Sequence, residues 1–173
     1  MSKVTDILRK YTLTAPVDVE RIASELGLDI VFSALSDNIS GKIQKVDGDQ
    51  YLIVVNGNES PVRQRFTIAH EIGHFLYHRD LIGDGVADSP AYRSPDEKIY
   101  ETTPLERRHE TQANQFAANI LMPHDLIRHI EARHPGITYP ELAKKLDVSL
   151  PALRVRKGLP PYPDALEEFD VVE

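Results

Sequence analysis

The stretch FTIAHEIGHF, Phe66 to Phe75, contains His70, Glu71 and His74 as H-E-x-x-H. No other part of the chain restricts its fold so strongly. On an α-helix, residues four apart share a face and lie about 6 Å apart along the axis. Two imidazoles so placed can converge on one ion, and the glutamate between them can reach a water beside it. The pair therefore demands a helix with one side packed and one side open, and a further donor from elsewhere. Chance yields roughly 0.02 matches to the pattern in a chain of this length and histidine content.

The surrounding pattern is helical. Phe66, Ala69, Ile72, Gly73 and Leu76 form an apolar stripe in a helix expected from about Pro61 to Arg79, with His70 and His74 beside the stripe, at the edge of a cleft. His78 lies four residues beyond His74 and about 12 Å along the axis from His70, too far to complete the same coordination sphere. It is expected at the surface or as an outer partner of the site.

The chain has no cysteine, which excludes disulfides and thiolate metal sites, so any ion must be held by His, Asp or Glu. Its 173 residues, 41% hydrophobic and 27% charged, suit one soluble domain with at most a small appendage. No apolar run has the length of a membrane span, and the start MSKVTDILRKYT has neither the apolar core nor the cleavage site of a signal peptide. A cytoplasmic location with no membrane partner is the expectation. The net charge of −7 argues against nucleic acid as the main partner. Basic residues nevertheless gather at Lys144, Lys145, Arg154, Arg156 and Lys157, and the tail PDALEEFDVVE is acidic.

Other elements follow from turn and cap signals. PVDVERIASELGL reads as a short helix with Asp18 as N-cap and Gly27 past its C-terminus. DIVFSAL reads as a strand, and ISGKIQKVDGDQYLIVVN as a hairpin turning at Asp47-Gly48. Tyr51–Val55 is apolar enough for a core strand, or for an edge strand that an extended substrate could join. Residues 80–104, rich in Asp, Glu and Pro, form a long connection of the functional or mobile kind. A second strong helix spans Leu105 to Met122, a third starts at His124 and ends near Gly136, and residues 138–158 read as helix, turn, helix, with Thr138 and Glu141 spaced as a capping box.

The second strong helix offers a third metal donor in RRHETQAN. His109 and Glu110 each lie about 50° from the centre of its apolar stripe, on opposite flanks, so helix phase does not choose between them. RQRFTIAHEIGHFLYH followed by ETQANQFAANILMP resembles the ImmA/IrrE family of metallopeptidases, which join an H-E-x-x-H helix to a second helix of form E-x-x-A-N-x-F-A ending in Leu-Met-Pro. The resemblance covers roughly residues 15–125 and implies that Glu110 is the third ligand, beside His70 and His74, to a Zn2+ ion.

The expected fold is α+β. A zincin-like, gluzincin-type domain over 1–135 would pack a small antiparallel sheet on the H-E-x-x-H helix. A helix-turn-helix-like extension over 136–160 and an acidic tail over 161–173 would follow. Glu71 is the expected catalytic base, taking a proton from water and returning it to the leaving amine. Tyr77, Tyr92, Tyr100 and His109 are candidates to stabilise the oxyanion.

Members of the family act on helix-turn-helix transcriptional repressors in mobile-element induction or stress responses. The resemblance therefore implies a cytoplasmic zinc endopeptidase with such a protein substrate. Two alternatives remain. The 138–157 helical pair could contact DNA directly, or the chain could be a protein-binding regulator that keeps the zinc fold without proteolysis. Leu142, Leu146, Leu150 and Leu153 favour a packing role for that pair over a DNA-reading one.

Overall fold

The computed structural model describes residues 3–82 and 104–162. Its elements run α1 (Lys3–Tyr11), α2 (Val19–Glu25), β1 (Leu28–Ser33), β2 (Gly41–Lys45), β3 (Tyr51–Asn56), α3 (Pro61–Tyr77), a 3-10 turn (Arg79–Leu81), α4 (Pro104–Leu121), α5 (His124–Arg133), α6 (Tyr139–Leu146) and α7 (Leu150–Arg156). The class is α+β, with one small sheet among helices. The connection expected over 80–104 and the acidic tail fall largely outside the described residues, as do Tyr92 and Tyr100. No helix among the described residues is long and apolar enough to cross a membrane.

Helix α1 was not expected from the sequence, although Val4, Ile7, Leu8 and Tyr11 stand at helical spacing. Ile7 is buried, and Tyr11 donates its hydroxyl to Glu25 Oε1 at 2.6 Å, fastening α1 to α2. Helix α2 begins where Asp18 Oδ1 accepts from the Arg21 backbone N–H at 2.9 Å, and Gly27, at φ +80°, supplies the left-handed residue just past its end.

The sheet is mixed, not antiparallel as expected. Its order is β1-β3-β2, with β1 parallel to β3 and β2 antiparallel to it. The hairpin at Asp47-Gly48 forms as predicted, closed by Gln50 N–H to Asp47 O at 2.8 Å. What the turn signals do not convey is that β3, the most apolar strand, takes the centre and separates β1 from β2. Ile53 and Val55 are fully buried. The chain leaving β1 must therefore cross the end of β3, and Asn56 holds that crossing. Its side chain donates to Ile39 O at 2.8 Å and Ser36 O at 3.3 Å, and accepts from Leu35 N–H at 3.3 Å. Because β3 is paired on both sides, it cannot be the edge strand to which a substrate adds; β1 and β2 are the edges.

Helix α3 starts at Pro61, whose missing N–H costs nothing in the first turn, and packs under the sheet. The approach is close at Gly41, where an added Cβ would lie 2.5 Å from Thr67 Cγ2 and 2.6 Å from Val54 O. Helices α3 and α4 meet at another small pair: a Cβ on Gly73 would lie 3.1 Å from Ala113 Cα and 3.2 Å from the Phe116 ring. This contact sets the third-donor helix against the histidine helix.

The capping box at the start of α6 is present, with Thr138 N–H donating to Glu141 Oε2 at 2.9 Å. Asp147 makes the left-handed turn into α7. Leu142, Leu146 and Leu153 are buried in the same cluster as Ile68, Ile72 and Ile127. Arg65 of α3 ties this turn down, reaching Asp147 Oδ2 at 3.0 Å and Val17 O at 2.9 Å.

Candidate metal centre

Three donors converge where α3 meets α4. His70 Nε2 lies 2.9 Å from His74 Nε2, and the Glu110 carboxylate stands 3.2 Å from the first and 3.1 Å from the second. Among the described residues, His70, His74 and Glu110 are the group of potential metal ligands whose donor atoms all lie within 4.8 Å of one another. The helix turn supplies the two imidazoles, and the Gly73–Ala113 contact brings Glu110 opposite them. A tetrahedral ion with bonds of about 2.0–2.1 Å holds its donors about 3.3 Å apart. The observed separations are close to that value, and two imidazoles with one carboxylate form a donor set that zinc accepts. The residues present fit such an ion.

The far sides of both rings are occupied. His70 Nδ1 is 2.9 Å from Asn114 Oδ1, an acceptor that fixes the proton on Nδ1 and leaves Nε2 as a lone pair. His74 Nδ1 is 3.1 Å from His78 Nδ1, and His78 Nε2 is 2.8 Å from Gln112 Oε1. Burial pushes the His78 imidazole down, against the Gln112 hydrogen bond. For Glu110, burial would raise the carboxyl, but the closeness of the His70 and His74 rings outweighs it and holds the group well below the usual carboxylate range.

The sequence-derived candidates separate cleanly. His70, His74 and Glu110 are together, and Glu71 is fully buried on the same helix. His109 is outside the group, with its ring 4.4 Å from that of His78. His78 is a buried partner of His74, not a surface residue. Tyr77 is 62% exposed and packs edge-on against Phe116. Asn114 and Gln112 were missed as functional residues. Asn114 stands one helical turn beyond Glu110 in the quoted E-x-x-A-N motif, and that spacing was the signal available.

The basic residues near the C-terminus are not one surface. Arg154 Nε donates to Pro160 O at 2.8 Å, Arg156 Nε to Met122 O at 2.9 Å, and Lys157 pairs with Glu131 at 2.7 Å. Helix α7 thus spends its cations on its own fold. Lys144 and Lys145 instead join Arg133 and His134 around a cleft of about 720 Å³ that also contains Ile137 and Pro135.

Residues 23–157 match the peptidase family described as IrrE N-terminal-like domain. The radiation response metalloprotease IrrE of Deinococcus deserti is 41% identical over 105 residues, which are 60% of this chain and 34% of that protein. Its counterpart in Deinococcus radiodurans is 39% identical over 105 residues, 60% of this chain and 29% of that protein. The chain spans about a third of the length of these curated relatives. A solved structure described as a Mycobacterium tuberculosis transcriptional regulator superposes with a TM-score of 0.55 at 18% identity, covering 90% of this chain and 46% of that one. At that identity the likeness concerns the fold alone.

Proposed function

The chain belongs to the IrrE N-terminal-like family of peptidases, and on that premise we propose that it is a zinc-dependent endopeptidase that cleaves a regulatory protein. The observation that carries this reading is the convergence of His70 Nε2, His74 Nε2 and the Glu110 carboxylate beside Glu71 in the sequence. In the proposal, His70, His74 and Glu110 hold the ion. A zinc ion held there would supply Lewis-acid polarisation of the scissile carbonyl and make water more acidic. Glu71 takes the proton from the attacking water and passes it to the leaving amine nitrogen, so no covalent intermediate with the protein forms. Asn114 and the His78–Gln112 pair keep the two imidazoles aimed.

The proposed substrate is a helix-turn-helix repressor, in stress-response or mobile-element control within the cytoplasm. The ImmA/IrrE resemblance supplies that identity, and the radiation-response role in the names of the Deinococcus relatives agrees with it. The cleft lined by Arg133, Lys144 and Lys145, and by Glu141, whose carboxylate is taken up by Thr138, offers an acidic segment of such a partner a cationic docking point. The engagement of Arg154, Arg156 and Lys157 within the fold argues against direct DNA reading by α7. The test is to incubate the zinc-loaded protein, and its Glu71→Gln variant, with helix-turn-helix repressors of its own organism and to read fragments by mass spectrometry. Cuts at one or few positions by the parent alone support the proposal. Intact repressors alongside efficient casein digestion overturn the substrate. Cleavage of neither protein overturns the endopeptidase reading.

A further inference from the structure

We propose that His78 and Gln112 are positioning residues that fix His74 in the one tautomer able to bind metal. The inference rests on the ligand set proposed above but concerns residues outside it. Two nitrogens face each other at 3.1 Å, His74 Nδ1 and His78 Nδ1, so one must carry the proton and the other must accept it. The direction is set one bond further out. Gln112 presents Oε1 at 2.8 Å to His78 Nε2, and an amide oxygen can only accept. The His78 proton is then on Nε2, its Nδ1 is a lone pair, and His74 must donate from Nδ1. That leaves the Nε2 lone pair of His74 pointing at the site it shares with His70 and Glu110.

The opposite direction is equally continuous and has the opposite consequence. If the Gln112 amide turned its NH2 group inwards, His78 would donate from Nδ1 and His74 would carry its proton on Nε2. That proton would satisfy Glu110 Oε1 at 3.1 Å and close the ring to metal. A surface glutamine on α4 thus sets whether a histidine on α3 is a ligand or a hydrogen-bond donor. His70 has the shorter version of the same device, a single acceptor at Asn114 Oδ1. The His74 arm is longer because His78, one turn further along α3, stands between His74 and α4. His109 packs over the His78 ring and holds it in that place.

Gln112 is exposed, so its variants should keep the fold. Zinc affinity would be measured by chelator competition on Gln112→Leu, Gln112→Glu, His78→Leu and His78→Asn, with Thr111→Glu as the control for added charge on the same turn. Nitrogen-15 spectra of the imidazoles would report the His74 tautomer in each zinc-free variant. Gln112→Leu and His78→Leu should lower affinity about tenfold or more, the usual cost of removing such an outer partner, and the His74 Nδ1–H signature should weaken. Gln112→Glu, an obligate acceptor, should keep the parental tautomer and affinity. His78→Asn should recover part of what His78→Leu loses, because its carbonyl can accept from Nδ1. Parental affinity and tautomer in both leucine variants would overturn the proposal. So would a Gln112→Glu variant that behaves like Gln112→Leu, or a Thr111→Glu variant that shifts the His74 tautomer as the leucine variants do. If no variant, nor the parent, binds zinc while the tautomer still shifts as described, the ligand set fails and the relay stands.

Discussion

Gly73 and Ala113 meet across the α3–α4 crossing with no room for a side chain: a Cβ on Gly73 would sit 3.1 Å from Ala113 Cα and 3.3 Å from its carbonyl oxygen. The glycine inside H-E-x-x-H is therefore a packing residue. It lets the helix that carries Glu110 come within reach of the two histidines. Both motifs contain a small residue at the same contact, which is why they work as a pair.

Gly73→Ala gives two opposed effects. Alanine favours the helix by about 1 kcal/mol, while the new methyl must push α4 away by a few tenths of an ångström. Overall stability should change little, but zinc affinity should fall because Glu110 moves with α4. Gly73→Val should cost about 2 kcal/mol through overpacking. Denaturant melts and metal titration on the two variants would check both; undiminished affinity in Gly73→Val would refute the account.

Glu71→Gln should bind zinc nearly as tightly as the parent and cleave at least about a hundredfold more slowly, because the residue acts on the proton and not on the ion. Metal analysis and fragment yield, measured on the same sample, separate these effects. A fully active variant would remove Glu71 from the proposed role.

Glu110→Ala should lose both metal and activity, whereas His109→Ala should keep the metal. Of the two, Glu110 stands at the Nε2 atoms of His70 and His74, whereas His109 is packed over His78. The reverse outcome would transfer the third ligand to His109.

Reversing charge in the cleft, with Lys144→Glu and Lys145→Glu together, should weaken binding of an acidic protein substrate and flatten its dependence on salt. Cleavage of a short neutral peptide should be unchanged. Equal effects on both substrates would show that the cleft does not dock the partner.

Acid should fray the start of α6. The Glu141 carboxyl is held below its ordinary value of 4.5 by its hydrogen bonds from the Thr138 backbone N–H and hydroxyl. A carboxyl lowered in the folded state stabilises above its unfolded value and loses that contribution as pH falls through the folded one. Protection of the Thr138 amide, taken relative to its intrinsic exchange rate at each pH, should therefore fall below about pH 4.5, and Glu141→Gln should remove the pH dependence of that protection. An unchanged profile in that variant would rule out the cap as its source.

The sequence made the local parts of this structure legible. Asp18, Gly27, Asp47-Gly48 and the Thr138–Glu141 pair act through neighbours a few residues away, and each cap or turn stands where its chemistry predicts. The H-E-x-x-H spacing carried the two histidines in the same way. The errors arose where distant segments choose one another. Strand order depends on which strand is buried on both faces, and Asn56 reveals the crossing only through partners some twenty residues away. Choosing Glu110 over its neighbour depended on the family resemblance, because two adjacent helical positions flank one stripe equally. For His78, the axial distance from His70 rules out a ligand but does not choose between the surface and an outer partner; the contact with His74 makes it the latter. Helix α1 was legible and overlooked.

With the proposed ligands, the ion joins α3 to α4 across the long stretch of chain between His74 and Glu110. A link of that kind closes a loop that the unfolded chain must otherwise pay for in entropy, and it exists only in the folded state. Every increment in free zinc above the dissociation constant then adds to the melting free energy by mass action. Metal supply would govern the lifetime of the protein as well as its activity: in a zinc-poor cell the loosened helix pair would be open to unfolding and turnover, so the amount of protein and the activity of each copy would fall together.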